Sequence, residues 1–216
     1  MPSLRQILAV HAPLLLIDAA SSEVHAGWFD EVEKVRWTAS VEESGVAVFR
    51  CIEELGIDPG KAGAFLFCEG PGSALGVRIA AMAIRVWCVA APRPIFAYRS
   101  LELVAETEAP SGAGIIADAR RDSWHLCTRD NPLRRVPAED LAGKLLMPEG
   151  FRHWSPLPAG VEFVPYDPPG RWRRAADAAL FRETDAPDSF QHEERNFAAW
   201  APKIHRAPKP REPSKA

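Results

Sequence analysis

Chemistry is best sought in this chain where an apolar strand runs through a glycine-rich turn into a helix, Phe65-Leu66-Phe67-Cys68-Glu69-Gly70-Pro71-Gly72-Ser73-Ala74-Leu75-Gly76-Val77-Arg78. Amides at the start of a helix attract anions, and glycine-rich turns bring backbone close to phosphate. The nucleotide P-loop ends in Gly-Lys-Ser/Thr, whose lysine reaches the terminal phosphates; Gly76-Val77-Arg78 has no such lysine, which removes that version. The dinucleotide fingerprint Gly-x-Gly-x-x-Gly fits Gly70, Gly72 and Gly76 poorly, since the last glycine comes one residue late. The next strand, Pro94 to Tyr98, ends in Arg99 instead of the acid that would hold a ribose. Ser73 does not sit in the Gly-x-Ser-x-Gly elbow of serine hydrolases, and its residue type suits capping the helix that begins at Ala74.

Two aspartates invite a second test. Asp18 and Asp118 each end an apolar strand, where a carboxylate can orient magnesium-bound phosphates at a cleft or simply cap a turn. No convincing adenosine-binding glycine motif accompanies them, since Gly112-Ala113-Gly114 precedes a strand, and turn capping is the reading favoured. His11, His25, His125, His153, His192 and His205 are scattered, and no two have the His-x-x-x-His spacing that places ligands one helical turn apart, so no catalytic metal is expected.

The elements that must position these groups follow from periodicity. Leu14 to Ile17 and Val24 to Phe29 predict an opening hairpin, Val32 to Trp37 a third strand, and Val41 to Leu55 a helix ending at Gly56. A strand over Ala64 to Cys68, the helix from Ala74 to Ala91, a strand to Tyr98 and a helix over Ser100 to Ala105 complete a mixed α/β first half. In the long helix Gly76, Ala80 and Ala83 line one face, extended by Ile84 and Trp87, and this stripe serves either internal packing or an intermolecular seam. Leu75, Ile79 and Val86 widen the apolar surface beyond what one sheet contact needs. If the stripe is a seam, Gly76→Leu blocks assembly and spares the fold.

Leu16-Ile17-Asp18-Ala19 has a counterpart in Ile116-Ala117-Asp118-Ala119, and the same offset pairs His25 with His125, so the chain reads as two related halves. The second half is predicted to hold helices over Ala138 to Leu146 and Arg173 to Glu183, with Trp154, Trp172 and Trp200 packed on prolines. The expected units are an N-terminal lobe over 1–105, a reduced lobe over 106–201 and a basic, proline-rich tail over 202–216, extended and solvated.

At 216 residues with a net charge of -3, the chain supports a real core and is not a strongly basic nucleic-acid binder overall. Cys51, Cys68, Cys88 and Cys127 form no Cys-x-x-Cys pair and read as reduced, structural thiols. His11 and Pro13 interrupt the apolar N-terminus, and no stretch reaches the roughly 20 apolar residues that cross a bilayer. A cytoplasmic protein without a membrane segment is expected.

Gly70-Pro71-Gly72-Ser73-Ala74-Leu75-Gly76-Val77-Arg78-Ile79 resembles the Gly-Pro-Gly-Ser-Phe-Thr-Gly-Leu/Val-Arg-Ile/Leu motif of the TsaB group of the glycoprotease-like family, with Ala74 and Leu75 in place of Phe and Thr. Leu16-Ile17-Asp18-Ala19, Ile116 to Arg120 and Ala201 to Arg206 are similar to its opening strand, its Asp-Ala-Arg strand and its terminal segment. The resemblance implies a two-lobed actin-like (RNase H-like) α/β fold with mixed sheets flanked by helices. It further implies a noncatalytic partner of TsaD in threonylcarbamoyl modification of the tRNA adenosine beside the anticodon, with a TsaE-type ATPase completing the assembly. By this reading the chain has no cofactor of its own, ATP or ADP would sit at a partner interface, the free protein would form a homodimer, and tRNA contact would be indirect or weak. The two long helices would carry the partner contact, with Gly72, Ser73, Gly76, Arg78, Ala80, Ala83 and Trp87 as its residues. The other class left open is a small actin-like nucleotide-binding enzyme or a paralogue with another partner.

Overall fold

The computed structural model describes residues 1–108 and 112–190. The opening apolar run forms β1 (Leu14–Asp18), buried at every position because it lies in the middle of a sheet. It pairs antiparallel with β2 (Val24–Phe29) and parallel with β4 (Ala64–Cys68); β2 in turn pairs with β3 (Val35–Ser40). β5 (Ile95–Tyr98) lies parallel to β4, and the two-residue β11 (Arg182–Glu183) returns to cover its free edge, giving a six-stranded sheet in the order β11-β5-β4-β1-β2-β3.

The second sheet repeats the plan. β6 (Gly114–Asp118) pairs antiparallel with β7 (Ser123–Cys127) and β7 with β8 (Arg134–Pro137). β9 (Leu145–Pro148) lies parallel to β6, and β10 (Glu162–Val164) parallel to β9, so the five strands run β10-β9-β6-β7-β8. The helices α4 (Ser100–Glu108) and α5 (Pro168–Arg174) follow β5 and β10 in turn and touch one another. Two halves of one plan are thus present, although the fixed offset of one hundred is not a structural equivalence throughout. Asp18 faces His25 across the first hairpin, whereas Asp118 faces Trp124 across the second, so His125 pairs with Ala117 and lies one register step from the place of His25.

The second lobe is reduced in a definable way. In the first, α2 (Ser44–Leu55) joins β3 to β4 and α3 (Ala74–Ala90) joins β4 to β5; both cover one face of the sheet in a core that includes Leu15, Ile17, Phe65, Phe67, Val48 and Ile84. In the second lobe the β8–β9 connection holds only a 3-10 turn, Ala138–Asp140, and the β9–β10 connection is irregular. The opposite face of the first sheet packs against the second lobe through one continuous core that includes Leu16, Leu66, Tyr98, Ile116, Met147 and Trp172.

Several expectations are corrected. The helix predicted over Ala138 to Leu146 is absent: Gly143, at φ +80, ends any helical run, and Leu145–Pro148 is a fully buried strand beside β6. The helix predicted over Arg173 to Glu183 lies earlier, at Pro168–Arg174. There Asp167 accepts the Gly170 amide as a cap, and proline sits in the first turn, where a missing N–H is harmless. The chain then turns so that Phe181 stacks on Trp172, 4.6 Å between ring centroids. The lobe boundary expected at 105 falls inside α4, and β11 belongs to the first sheet.

The N-terminal segment is α1 (Leu4–His11), a helix not predicted from the sequence. Ser3 and Gln6 form a reciprocal capping box, and Leu4, Ile7 and Leu8 enter the shared core. All four cysteines are free, with Cys51, Cys68 and Cys127 buried. Among the described residues no helix is long and apolar enough to cross a membrane. The tail over 202–216, the Ala201 to Arg206 segment, Trp200, His192 and His205 lie outside the described residues.

Candidate functional site

The Gly70–Ser73 turn has a structural cause. Gly70 takes φ +100 and Gly72 φ +151, and a Cβ on Gly72 would come within 2.2 Å of the Ala20 carbonyl oxygen. Ser73 donates its backbone amide to that same oxygen at 2.7 Å, and its hydroxyl accepts the Gly76 amide at 3.2 Å, the helix cap expected of it. Gly76 is buried, and a Cβ there would lie 2.3 Å from the Ala19 carbonyl oxygen. The motif glycines therefore seat α3 against the end of β1.

This placement decides how the small-residue stripe packs within the chain. Gly76, Ala80 and Ala83 are buried with Ile84 against the molecule's own sheet, the internal-packing alternative for the stripe. Trp87 is half-buried and stacks on Phe65 with ring centroids 5.7 Å apart. Gly76→Leu is consequently a fold-breaking change, since its side chain would have to displace backbone.

The outward side of α3 is the apolar one left open. Leu75, Ile79, Met82, Val86 and Val89 recur at alternating steps of four and three residues, the spacing of a coiled-coil seam, with Ile79 half-buried against the core and the other four exposed. Leu75, Met82 and Val86 are each at least 60% exposed, and Val46 and Phe49 of the contacting α2 are exposed as well. Val46 and Phe49 were read from the sequence as periodic apolar positions of the first long helix, whereas Met82 and Val89 escaped it; the alternating four-three spacing was the available signal.

Asp18 is enclosed. Its Oδ2 accepts the Tyr98 hydroxyl and, at 2.6 Å, the Tyr166 hydroxyl, while Oδ1 accepts the Ala20 amide at 3.0 Å. Burial first, and then the Asp18 charge, push both phenols and the neighbouring Cys68 thiol well above their ordinary pKa values. Tyr98 comes from the first lobe and Tyr166 from the second, so the carboxylate ties the lobes together and caps a turn.

Asp118 also caps its turn, accepting the amides of Arg120, Trp154 and Ser155, the last at 2.7 Å. Desolvation pulls its pKa up, but these bonds outweigh it and hold the carboxyl below its ordinary range. Arg120, Arg121 and Asp122 take successive positive φ values of 63, 52 and 54, a turn that such residues rarely adopt. Arg78 is exposed, its Nε 3.4 Å from the Ser189 hydroxyl. Trp154 is exposed instead of packed on proline, with the Arg120 guanidinium 4.5 Å above its ring, whereas Trp172 is buried between Tyr98 and Phe181. Among the described residues no three His, Cys, Asp or Glu side chains gather as a metal site.

No protein-family model matches the chain. No curated protein matches its sequence. Solved structures do match: YeaZ from Pseudomonas aeruginosa is similar with a TM-score of 0.53 at 18% identity, over 70% of this chain and 84% of that one. A protein described as similar to peptidase YEAZ from Pseudomonas aeruginosa gives a TM-score of 0.55 at 18% identity, over 78% and 97% of the two chains. At such identity the likeness speaks for architecture: this chain shares with YeaZ a two-lobed α/β fold of mixed sheets flanked by helices.

Proposed function

We propose that this chain is a noncatalytic subunit that docks through the outer face of α2 and α3 onto a TsaD-type enzyme, and so supports threonylcarbamoyl modification of the tRNA adenosine beside the anticodon. The observation that carries the reading is the exposure of Leu75, Met82, Val86 and Val89 along the four-three apolar row on α3, joined by Val46 and Phe49 of α2. A surface of this extent and spacing has a partner helix as its natural cover. The fold neighbours support the choice of partner, because YeaZ is the Pseudomonas TsaB and the Gly70-to-Ile79 motif resembles that group. The enclosure of Asp18 by two tyrosines supports a noncatalytic role, since a carboxylate so held is unavailable to a metal–phosphate complex. A TsaE-type ATPase, nucleotide at a partner interface, a homodimer of the free chain and a cytoplasmic setting belong to the same proposal.

The test is co-expression with the TsaD-type protein of the same organism, followed by size-exclusion chromatography with light scattering. A stoichiometric complex is expected, lost with Met82→Glu and retained with a control change such as Asp177→Asn, far from the face. Absence of a complex between two folded proteins would overturn the assignment of partner.

A further inference from the structure

The apolar row on α3 is bordered differently on its two sides. On one side lies α2, close enough that a Cβ on Gly45 would meet the Ile79 Cδ1 at 3.9 Å. On the other stand Arg78 and Arg85, the only charged residues of α3. They are seven residues apart, and each directly precedes a member of the row, Ile79 or Val86. That is the g position of a heptad whose a and d positions are the row itself, and charges there choose the partner by pairing with opposite charge on the covering helix.

Both arginines are exposed, and among the described residues their partners come from one strap of the same chain, residues 182–190. The strap is fastened at each end. At its start Arg182 is held by Glu69 and, at 3.6 Å, by Glu102, and the Thr184 amide donates to the Ile95 carbonyl at 2.9 Å. At its end the Phe190 amide donates to the Glu69 carbonyl at 2.7 Å, and the Phe190 ring lies 4.2 Å from the Arg99 guanidinium. Over residues 185–189 only Pro187 is buried. There the Asp188 carboxylate stands 3.9 Å from Arg85, and the Ser189 hydroxyl accepts from Arg78 at 3.4 Å. A neutral hydroxyl and a long, half-exposed ion pair hold the arginines only weakly.

We propose that Arg78 and Arg85 select, for the α3 face, a partner helix whose apolar stripe is bordered by carboxylates, and that Asp188 and Ser189 are a built-in competitor which such a helix displaces. The inference rests on the docking reading above and adds to it the charge of the partner and the device that covers the arginines before it arrives. Asp188 offers the same chemical group as the partner, at a distance that a closer carboxylate improves upon. Displacement requires only the Asp188 and Ser189 side chains to turn away, while the fastenings at Arg182 and Phe190 stay closed.

The experiment measures fluorescence anisotropy of two labelled helical peptides of three heptads, both with leucine at a and d, one with glutamate and the other with lysine at e and g. They are titrated with the full chain and with Asp188→Ala, Met82→Glu and the double variant Arg78→Glu/Arg85→Glu. All these side chains are exposed, so unfolding midpoints should match the unsubstituted chain and serve as the check on folding. The glutamate peptide should bind saturably and at least about tenfold more tightly than the lysine peptide. The double variant should reverse that preference, Met82→Glu should abolish binding, and Asp188→Ala should tighten the glutamate peptide about threefold. No binding of the glutamate peptide at about 1 mM, equal affinity for both peptides, a preference unmoved by the double variant, or weaker binding by Asp188→Ala would overturn the inference. The assay contains no TsaD-type protein. Peptide discrimination without a TsaD complex would therefore overturn the assignment of partner alone, and a TsaD complex without peptide discrimination would overturn this inference alone.

Discussion

A single hydrogen atom decides how closely α3 can approach β1. Gly76 meets backbone, the Ala19 carbonyl, so nothing flexible can move aside for a larger residue. Gly76→Ala is expected to cost about 1–3 kcal/mol by overpacking, read from urea unfolding, and Gly76→Leu should yield no folded protein. Asp18 carries a different lesson, because it is stable only as long as its donors remain. Tyr166→Phe removes one donor from a buried carboxylate and should cost about 1–3 kcal/mol. It should also change alkaline behaviour. The Tyr98 and Tyr166 phenols have folded pKa values raised above the ordinary 10.0, so their contribution is complete below pH 10 and is lost as pH rises and the unfolded chain ionises first. Tyr166→Phe should therefore flatten the fall of melting temperature above pH 10. Asp118 works in the opposite sense: its pKa is lowered from 3.8, so its contribution is present above that value and disappears as pH falls through the folded pKa. The melting-temperature gap between the unsubstituted chain and Asp118→Asn should narrow as the solution is acidified below pH 4.

At the scale of elements, α3 has two apolar faces with opposite duties. Its inner face uses small residues to sit close on the sheet, and its outer face presents long ones to solvent. Met82→Glu should change unfolding free energy by less than about 0.5 kcal/mol yet abolish association through that face, a combination that light scattering and urea titration can read together. Periodicity revealed both faces of this helix, but it could not say which one was inside. The decisive neighbour of Gly76 is Ala19, more than fifty positions away, and local pattern holds no record of it. The first-lobe strands were legible because β1, β4 and β5 are short apolar runs bounded by turn residues. The second lobe was not, since Leu145–Pro148 reads equally as the end of a helix until β6 supplies its hydrogen bonds. The capping box of Ser3 and Gln6 went unread, although its spacing marks α1 without any tertiary information. The strap was the least legible feature, because Arg78, Arg85 and Asp188 meet only when residues 182–190 fold back onto α3.

For the whole molecule, one core runs between the two sheets, and Asp18, Tyr98 and Tyr166 cross the same boundary. Heat unfolding followed by tryptophan fluorescence and by far-ultraviolet circular dichroism should consequently give coincident curves; a separate early transition of one lobe would contradict the shared core. The clasp at the N-terminus has its own bearing on how the protein comes into being. Leu4, Ile7 and Leu8 enter the shared core, the Arg5 amide bonds to the Ala176 carbonyl at 3.0 Å, and Phe181 donates to the Pro2 carbonyl at 3.2 Å. Because synthesis runs towards the C-terminus, α1 leaves the ribosome well before residues 176–181 and must wait, its apolar side unpaired, until they have emerged to receive it. A helix made early is thus secured late, and it is there that a nascent copy most needs shielding.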